Sequence, residues 1–589
     1  MRVDLGGERE AGSSSLRRIA RLRPAQLWPW GLLILMALLV AAPLGFLVLG
    51  SFSSGHFLGE IDFGALTLDN YRLVWGSPAT HAVFANTVFY ASGAVLIGVP
   101  LALALAFLVE RTNIPGKIWI YSGVTLCLAM PGLMHAMAYV LLLSPKIGFI
   151  NRFLMNAFDL DSAPFNIYGL AGMALVEGLR LVPTAFLMMV PLLRNMDPAL
   201  EEAATTAGAG PFTVLRRVTM LLMLPGIVAV LIYQLVSALE VFDVPSIIGM
   251  PASIYVFSTR IYAVLHSTSA LPDYGKANAL GILYLVIAIA MTAVYLKVIS
   301  RAERFSIVSG RGYRPRTIDL GAWRWVALAL ACLYLLAAFV LPLLVLAYTS
   351  FLPFLQVPSA RAFHSFSWIN YRKVLASDEI GVAVRNTLVM TALAATLTLV
   401  LSFLISLVVV RSKFWGRKLL DQLAFMPHAI PGMVMGLALL WVFLKIDGFG
   451  LPIFGTIWSM AFAFTLSFVA YGTRTMNAAI LQIHRDLEEA ALMSGASAWR
   501  TTWRVFVPLL TPALAGLWLW AVLHAVRTAG LPLMLYQGAN NQVLSVMIWN
   551  MWSDGQIAQV GAVATIMILA LLVLTLLLRA FGFGRASTQ

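Results

Sequence analysis

Glu201-Glu-Ala-Ala-Thr-Thr-Ala-Gly208 returns 287 residues later as Glu488-Glu-Ala-Ala-Leu-Met-Ser-Gly495, each copy a polar, helix-prone island between long apolar runs. Asp197-Pro198 ahead of the first copy reads as an N-cap followed by proline at the first helical position, and Asp486 stands three residues before Glu489 in the second. Both copies should start short helices. Gly208-Ala-Gly210-Pro211 and Gly495-Ala-Ser then interrupt them, and basic segments follow, Arg216-Arg217 in one and Arg500 with Arg504 in the other. The pattern predicts helix, tight turn and helix, lying on a membrane surface rather than crossing it. One such stretch is also what an ordinary helix with a glycine C-cap looks like. Two, at matching places in two halves of one chain, ask for a shared role.

The runs around these islands set the solvent. With 60% hydrophobic and 11% charged residues over 589 positions, the chain falls far below the roughly 25% charge of soluble proteins. About twelve runs of roughly 20 residues can cross a hydrocarbon core of about 30 Å. They lie near 28–52, 83–109, 118–143, 168–193, 219–242, 278–300, 323–350, 383–410, 419–444, 456–478, 507–530 and 557–579. They lack the alternation of barrel strands, so helices must satisfy the backbone inside lipid. The net charge of +14 invites a nucleic-acid partner, but its distribution argues against one. With the N-terminus inside, 28 of the 40 Lys and Arg residues fall on inside segments. That is the positive-inside pattern, and it predicts both Glu-Ala-Ala loops and both termini to be cytoplasmic. Cys127 and Cys332 fall in different halves and suggest no disulfide or thiolate site. Arg17-Arg18, Arg21 and Arg23 before the first run resemble a signal peptide, but the run is span-length and eleven follow, so it reads as a retained helix.

Landmarks repeat along the chain. Asn70-Tyr71-Arg72 and Asn86-Thr87 return at offset 300 as Asn370-Tyr371-Arg372 and Asn386-Thr387, with Arg111 matching Arg411 and Pro131-Gly132 matching Pro431-Gly432. By the Glu-Ala-Ala loops the offset is 287, so thirteen residues are missing from the second half, most simply from the loop at 144–167. The sequence thus divides into a tail 1–27, a six-span unit 28–300, a basic linker 301–322, a second six-span unit 323–580 and a tail 581–589. An even number of spans per unit makes the units parallel, with a pathway expected between them. Pro131 and Pro431 should loosen the third and ninth helices and permit bending during gating, although proline and glycine are common in membrane helices anyway.

Ionisable residues within spans are costly and face partners or water. Glu177 and Arg180, three apart, read as an intrahelical pair. Glu240 has Arg527 as its counterpart at offset 287, which suggests opposite charges meeting across the pseudo-twofold axis as pathway or gate residues. No histidine shows metal-ligand spacing, and no phosphate-binding loop or catalytic motif occurs, so no catalytic or metal residue is assigned.

Glu-Ala-Ala, three residues, Gly, then an aliphatic and usually a proline is similar to the cytoplasmic coupling-helix motif of ABC importer permeases. In that family the loop docks into a groove on a separate ATPase subunit. The resemblance gives that role to Glu201, Glu202, Ala203 and Gly208 and to Glu488, Glu489, Ala490 and Gly495. The second copy keeps the pattern through Val505 and Pro508, whereas the first has Leu221 where the proline would stand. The implied fold is all-α and integral to the membrane, with about twelve transmembrane helices in a parallel tandem repeat of the type I importer kind. The implied partners are two copies of an ABC ATPase using ATP and Mg, a periplasmic solute-binding protein and the lipid of a bacterial inner membrane; no cofactor is implied on this chain. The Asn-Thr head on the second helix, Val-Pro-Ser-Ile-Ile-Gly at 244–249 and Ile254-Tyr255 look most like the ferric-iron group. Related permeases serve thiamine, phosphonate, sulfate or polyamine. A six-plus-six secondary transporter driven by an ion gradient explains the duplication equally well, but not the paired loops.

Overall fold

A computed structural model describes residues 27–53, 66–194, 199–266, 272–302 and 317–578. Its helices repeat in order. Pro78–Arg111 and Asp378–Arg411 are both 34 residues long, Leu170–Arg194 and Ile457–Leu481 both 25, and Met220–Glu240 and Val507–Arg527 both 21. The first helix of each half is Trp28–Phe52 or the stretch Trp323–Ser350, and the last is Tyr274–Ala302 or Ile557–Leu578. Phe149–Phe158 is a helix of the first half only, with no counterpart between Gly448 and Ile457. It lies in the loop to which the thirteen extra residues were assigned.

Among the described residues nine helices are long and apolar enough to cross a membrane, and three bent helix pairs also qualify. Two of those pairs are the third and ninth spans, broken by 98° between Lys117–Ala129 and Gly132–Leu143 and by 111° between Arg417–Ala429 and Gly432–Gly448. Pro131 and Pro431 stand in extended conformation at the breaks, where a proline has no N–H to give and disfavours a helical residue before it. The break does not turn the chain back. Lys117 follows Arg111, which is paired with Glu201, while the far end leads to Phe149, whose ring meets Tyr348 at the opposite end of its helix. Ile457–Leu481 is less apolar than the nine, yet its hydroxyls donate back to its own turns, as Thr465 does to the Ala461 carbonyl and Ser467 to that of Ala463, so it carries these donors across satisfied.

The third bent pair, Pro245–Ala252 with Phe257–Leu265 at 69°, falls where the sequence reads as loop. Met220–Glu240 starts beside Glu201, and Tyr274–Ala302 ends at the linker that returns to Arg111, so this pair leaves and rejoins the opposite face. It is re-entrant and adds no crossing. The repeated landmarks hold this face together. Asn70 donates to the carbonyls of Ser51 and Ser53, and Asn370 to those of Ser350 and Leu352. Thr87 accepts from the Phe257 N–H and Thr387 from the Leu544 N–H, each capping the start of a short helix that would otherwise bury an unpaired donor.

The halves interlock. Trp28–Phe52 packs on Arg417–Phe425 and Gly432–Gly448 of the second half, and Leu341–Ser350 packs on Gly132–Leu143 of the first. Tyr139 donates to the Ala337 carbonyl at 3.0 Å and Trp30 meets Phe414 edge-on at 5.1 Å across this boundary. At the linker face Ile318 pairs with Arg111 and Asn113 through backbone hydrogen bonds of 2.8 and 3.1 Å. The Gly321 N–H and the Asn113 amide hold the nearby Asp319 carboxyl below the usual carboxylate range.

Candidate functional site

Two places concentrate polar groups, and the first is the pair of Glu-Ala-Ala loops. Ala199–Thr206 and Arg485–Met493 are the short helices, and each ends at a glycine in the left-handed region, Gly208 with φ +87° and Gly495 with φ +79°. A Cβ there would meet no atom within 4 Å, so glycine is needed for the backbone angle and not for room. The second helix of each motif is not a separate surface piece. Pro211–Val214 and Ala498–Thr501 run through a π turn, Leu215–Thr219 or Thr502–Phe506, directly into the next span. The apolar sequence beyond the basic residues continues the helix instead of ending it. Asp486 lies in the first turn of its helix, not ahead of it, where its charge still complements the helix dipole. Asp197 and Pro198 lie outside the described residues.

Adjacent glutamates point in different directions. Glu201 is buried, accepting from Arg111 Nη1 at 3.3 Å and from the Thr219 hydroxyl at 2.7 Å, while Glu202 and Ala203 are exposed. In the second loop Glu488 is half-buried, 3.8 Å from Arg411, and Glu489 and Ala490 are exposed. Arg411 is held chiefly by the carbonyls of Ile480 and Ile483. Beside the first loop Arg194 grips Glu110 with Nε and Nη2 at 3.2 and 2.8 Å. Glu201 anchors the first loop to its span, Glu488 only approaches Arg411, and in both copies the second glutamate is presented outward with the alanine after it.

The second place is a cavity of about 320 Å³ at the junction of the halves. Residues at repeat-related positions line it from both sides: Gly132 with Gly432, Ser237 with His524, Glu240 with Arg527, and Asp243 with Gly530. It therefore lies on the pseudo-twofold axis. Glu240 and Arg527 share the cavity as the sequence suggested, but among the described residues no ion pair joins them. Arg180 and Asp243 line the same cavity as Arg527. Arg180 is itself held by both oxygens of Glu177, the intrahelical pair expected from their spacing. Arg527 Nη1 and Gln234 Oε1 are buried without partners. Gly132 touches this cluster, since a Cβ on it would stand 2.7 Å from Asp243 Oδ2, whereas one on Gly432 would meet nothing within 4 Å. Phe242, buried beyond Glu240, meets Tyr262 at 5.4 Å and Trp549 of the other half at 5.7 Å.

Sequence reasoning missed Asp243 and Gln234, which carry no motif. An acid two residues before Pro245 in an otherwise apolar stretch was the available signal. It also used Arg111 and Arg411 only as landmarks of the repeat, although each stands at the end of a span near a glutamate.

Comparison with known proteins follows the same division. The family described as "Binding-protein-dependent transport system inner membrane component" matches residues 73–304 and 398–583. The chain is 25% identical over 500 residues to the ferric transport system permease protein FbpB of Actinobacillus pleuropneumoniae, spanning 84% of this chain and 70% of that one. It is 25% identical over 455 residues to a putative ferric transport system permease protein of Haemophilus influenzae, 76% and 69% of the two chains. It is 30% identical over 224 residues to a probable sulfate transport system permease protein of Chlorella vulgaris, 36% of this chain and 84% of that one.

Proposed function

We propose that this chain, which belongs to the family of binding-protein-dependent transport system inner membrane components, is the fused permease of an importer for ferric iron. As a member of that family it is a multi-pass permease component of an ATP-driven solute importer, with ATP hydrolysed on separate subunits. The finer reading assigns Glu202 and Glu489, with Ala203 and Ala490 and the turns at Gly208 and Gly495, to docking on two copies of a cytoplasmic ATPase that uses ATP and Mg. Glu201 anchors the first of those loops. A periplasmic solute-binding protein delivers the solute to the opposite face, and both termini are cytoplasmic. The cavity holding Glu240, Asp243, Arg180 and Arg527 is the point on the pathway where the halves part, with Pro131 and Pro431 as its flexible breaks.

The observation that supports this reading best is the paired geometry of the loops: in both halves the first glutamate is the less exposed and faces an arginine of its span, and the next is exposed. The ferric assignment is supported by similarity along most of the chain to permeases of that name; similarity of one half to a sulfate permease makes sulfate the second reading. The test is co-purification of an ATPase subunit with wild type, Glu202→Lys and Glu489→Lys, followed by ATP-dependent uptake of radiolabelled ferric iron in the native host. Loss of both in the folded variants is expected. Retention of both would remove the docking assignment, uptake without any ATPase would return the ion-gradient transporter, and sulfate uptake in place of iron would replace the solute.

A further inference from the structure

Beneath the first loop a separate cavity of about 320 Å³ opens among Phe107, Arg111, Glu201, Ala209, Thr219 and Ile318. Arg111 is 2% exposed and commits Nη1 to Glu201. Its Nε and Nη2 are buried with no hydrogen-bond partner. Those two N–H groups form the parallel edge of a guanidinium that holds both oxygens of one carboxylate or phosphate. Elsewhere this chain fills that same edge. Arg180 closes on Glu177 through Nε and Nη2, and Arg194 closes on Glu110 in the same way. The repeat-related Arg411 gives Nη2 to the Ile480 and Ile483 carbonyls and lies 5.4 Å over the Phe506 ring, leaving only Nε without a partner. The wholly open fork belongs to the first loop alone.

We propose that the Arg111 fork and the cavity it lines are a binding site for one small oxyanion group, a carboxylate or a phosphate. A buried pair of N–H donors left unmade costs free energy that a bidentate acceptor returns. The volume stands at the lower end of ligand pockets, which span roughly 300–1,000 Å³, and suits a small anion or a headgroup phosphate but not a nucleotide. Arg111 is already paired with Glu201, which also accepts from the Thr219 hydroxyl, and Asp319 lines the same cavity from an exposed position, so a singly charged group is favoured over a doubly charged one. Helix Ala199–Thr206, the end of Pro78–Arg111 and the returning linker meet here. An anion on the fork would tie the first loop more tightly to its span and leave the second unaffected.

The free anion and the lipid headgroup share this chemistry, and the experiment separates them. The purified full chain in detergent is heated against sodium phosphate or sodium acetate at constant ionic strength, with chloride as reference. The same chain is heated, in buffer without inorganic phosphate, in nanodiscs of zwitterionic phosphatidylcholine with and without anionic phosphatidylglycerol. A saturable rise in the unfolding midpoint of about 1–2 °C is expected, and it should vanish in Arg111→Lys, which keeps the charge but loses the fork. Ala209→Leu fills the cavity without touching Arg111 and should abolish the rise as well, so the test stands even if Arg111→Lys does not fold. A rise with a free anion assigns the site to small solutes, and a rise only with phosphatidylglycerol assigns it to lipid. No saturable rise in any medium, or an equal rise in both variants, would overturn the proposal and leave the cavity to water.

Discussion

Replacing the first glutamate of each loop by alanine should affect the two loops very differently. Glu201→Ala removes a carboxylate that takes two hydrogen bonds and neutralises a guanidinium that is 2% exposed. Removing one partner of a buried pair costs about 3–5 kcal/mol, because the other charge stays buried and uncompensated. Glu488→Ala removes a carboxylate that is 32% exposed and 3.8 Å from an arginine already held by two carbonyls, a change of about 0–1 kcal/mol. The cost falls on the attachment of the loop, not on the spans. Amide hydrogen exchange over residues 199–219 should therefore speed up by about 150-fold or more in Glu201→Ala, since each 1.4 kcal/mol is a factor of ten. Exchange over 485–506 should change by less than about fivefold in Glu488→Ala. The double variant Arg111→Met with Glu201→Leu, which replaces the pair by apolar volume, should recover most of the lost protection. Equal acceleration in both loops, or no recovery in the double variant, would refute the assignment of Glu201, and not Glu488, as the anchor of its loop.

Two further outcomes concern the axial cavity. Gly132→Ala should lower uptake at least tenfold and Gly432→Ala should leave it near wild type, because only the first methyl group would collide with Asp243; transport assays on matched amounts of inserted protein decide this. The charge exchange Glu240→Arg with Arg527→Glu should not restore transport lost in either single variant, because Arg180 and Asp243 line the same cavity as Arg527. Rescue by the exchange would re-establish a direct partnership across the axis.

What the sequence made legible was whatever repeats or follows a simple period. Span count and tandem division came from apolar runs and from pairs such as Asn70 with Asn370, and the hydrogen bonds of those asparagines explain why they recur: each fastens the first helix of its half to the following turn. The bends at Pro131 and Pro431 were legible as places of weakness, but not their angles, which depend on packing between halves. The re-entrant pair at 245–265 is apolar enough to pass for a span but is broken up by Pro245, Gly249 and Pro251, and only the faces reached by its neighbours reveal its course. Asp243 escaped notice because its importance comes from Gly132 and Arg180, both distant in sequence. The two glutamates of each motif read alike until the surroundings of Arg111 separated them.

Phe149–Phe158 carries one more consequence. A perfectly duplicated permease would offer the same surface after a half-turn, and any visitor to the face opposite the Glu-Ala-Ala loops could land in two equivalent ways. This helix stands on one half only, with Phe153 and Phe158 about two-thirds exposed, held by the Asn151 amide to the carbonyls of Leu143, Ser144 and Phe165. Among the described residues the two halves therefore present unlike surfaces on the face away from the Glu-Ala-Ala loops, and a half-turn does not carry one onto the other.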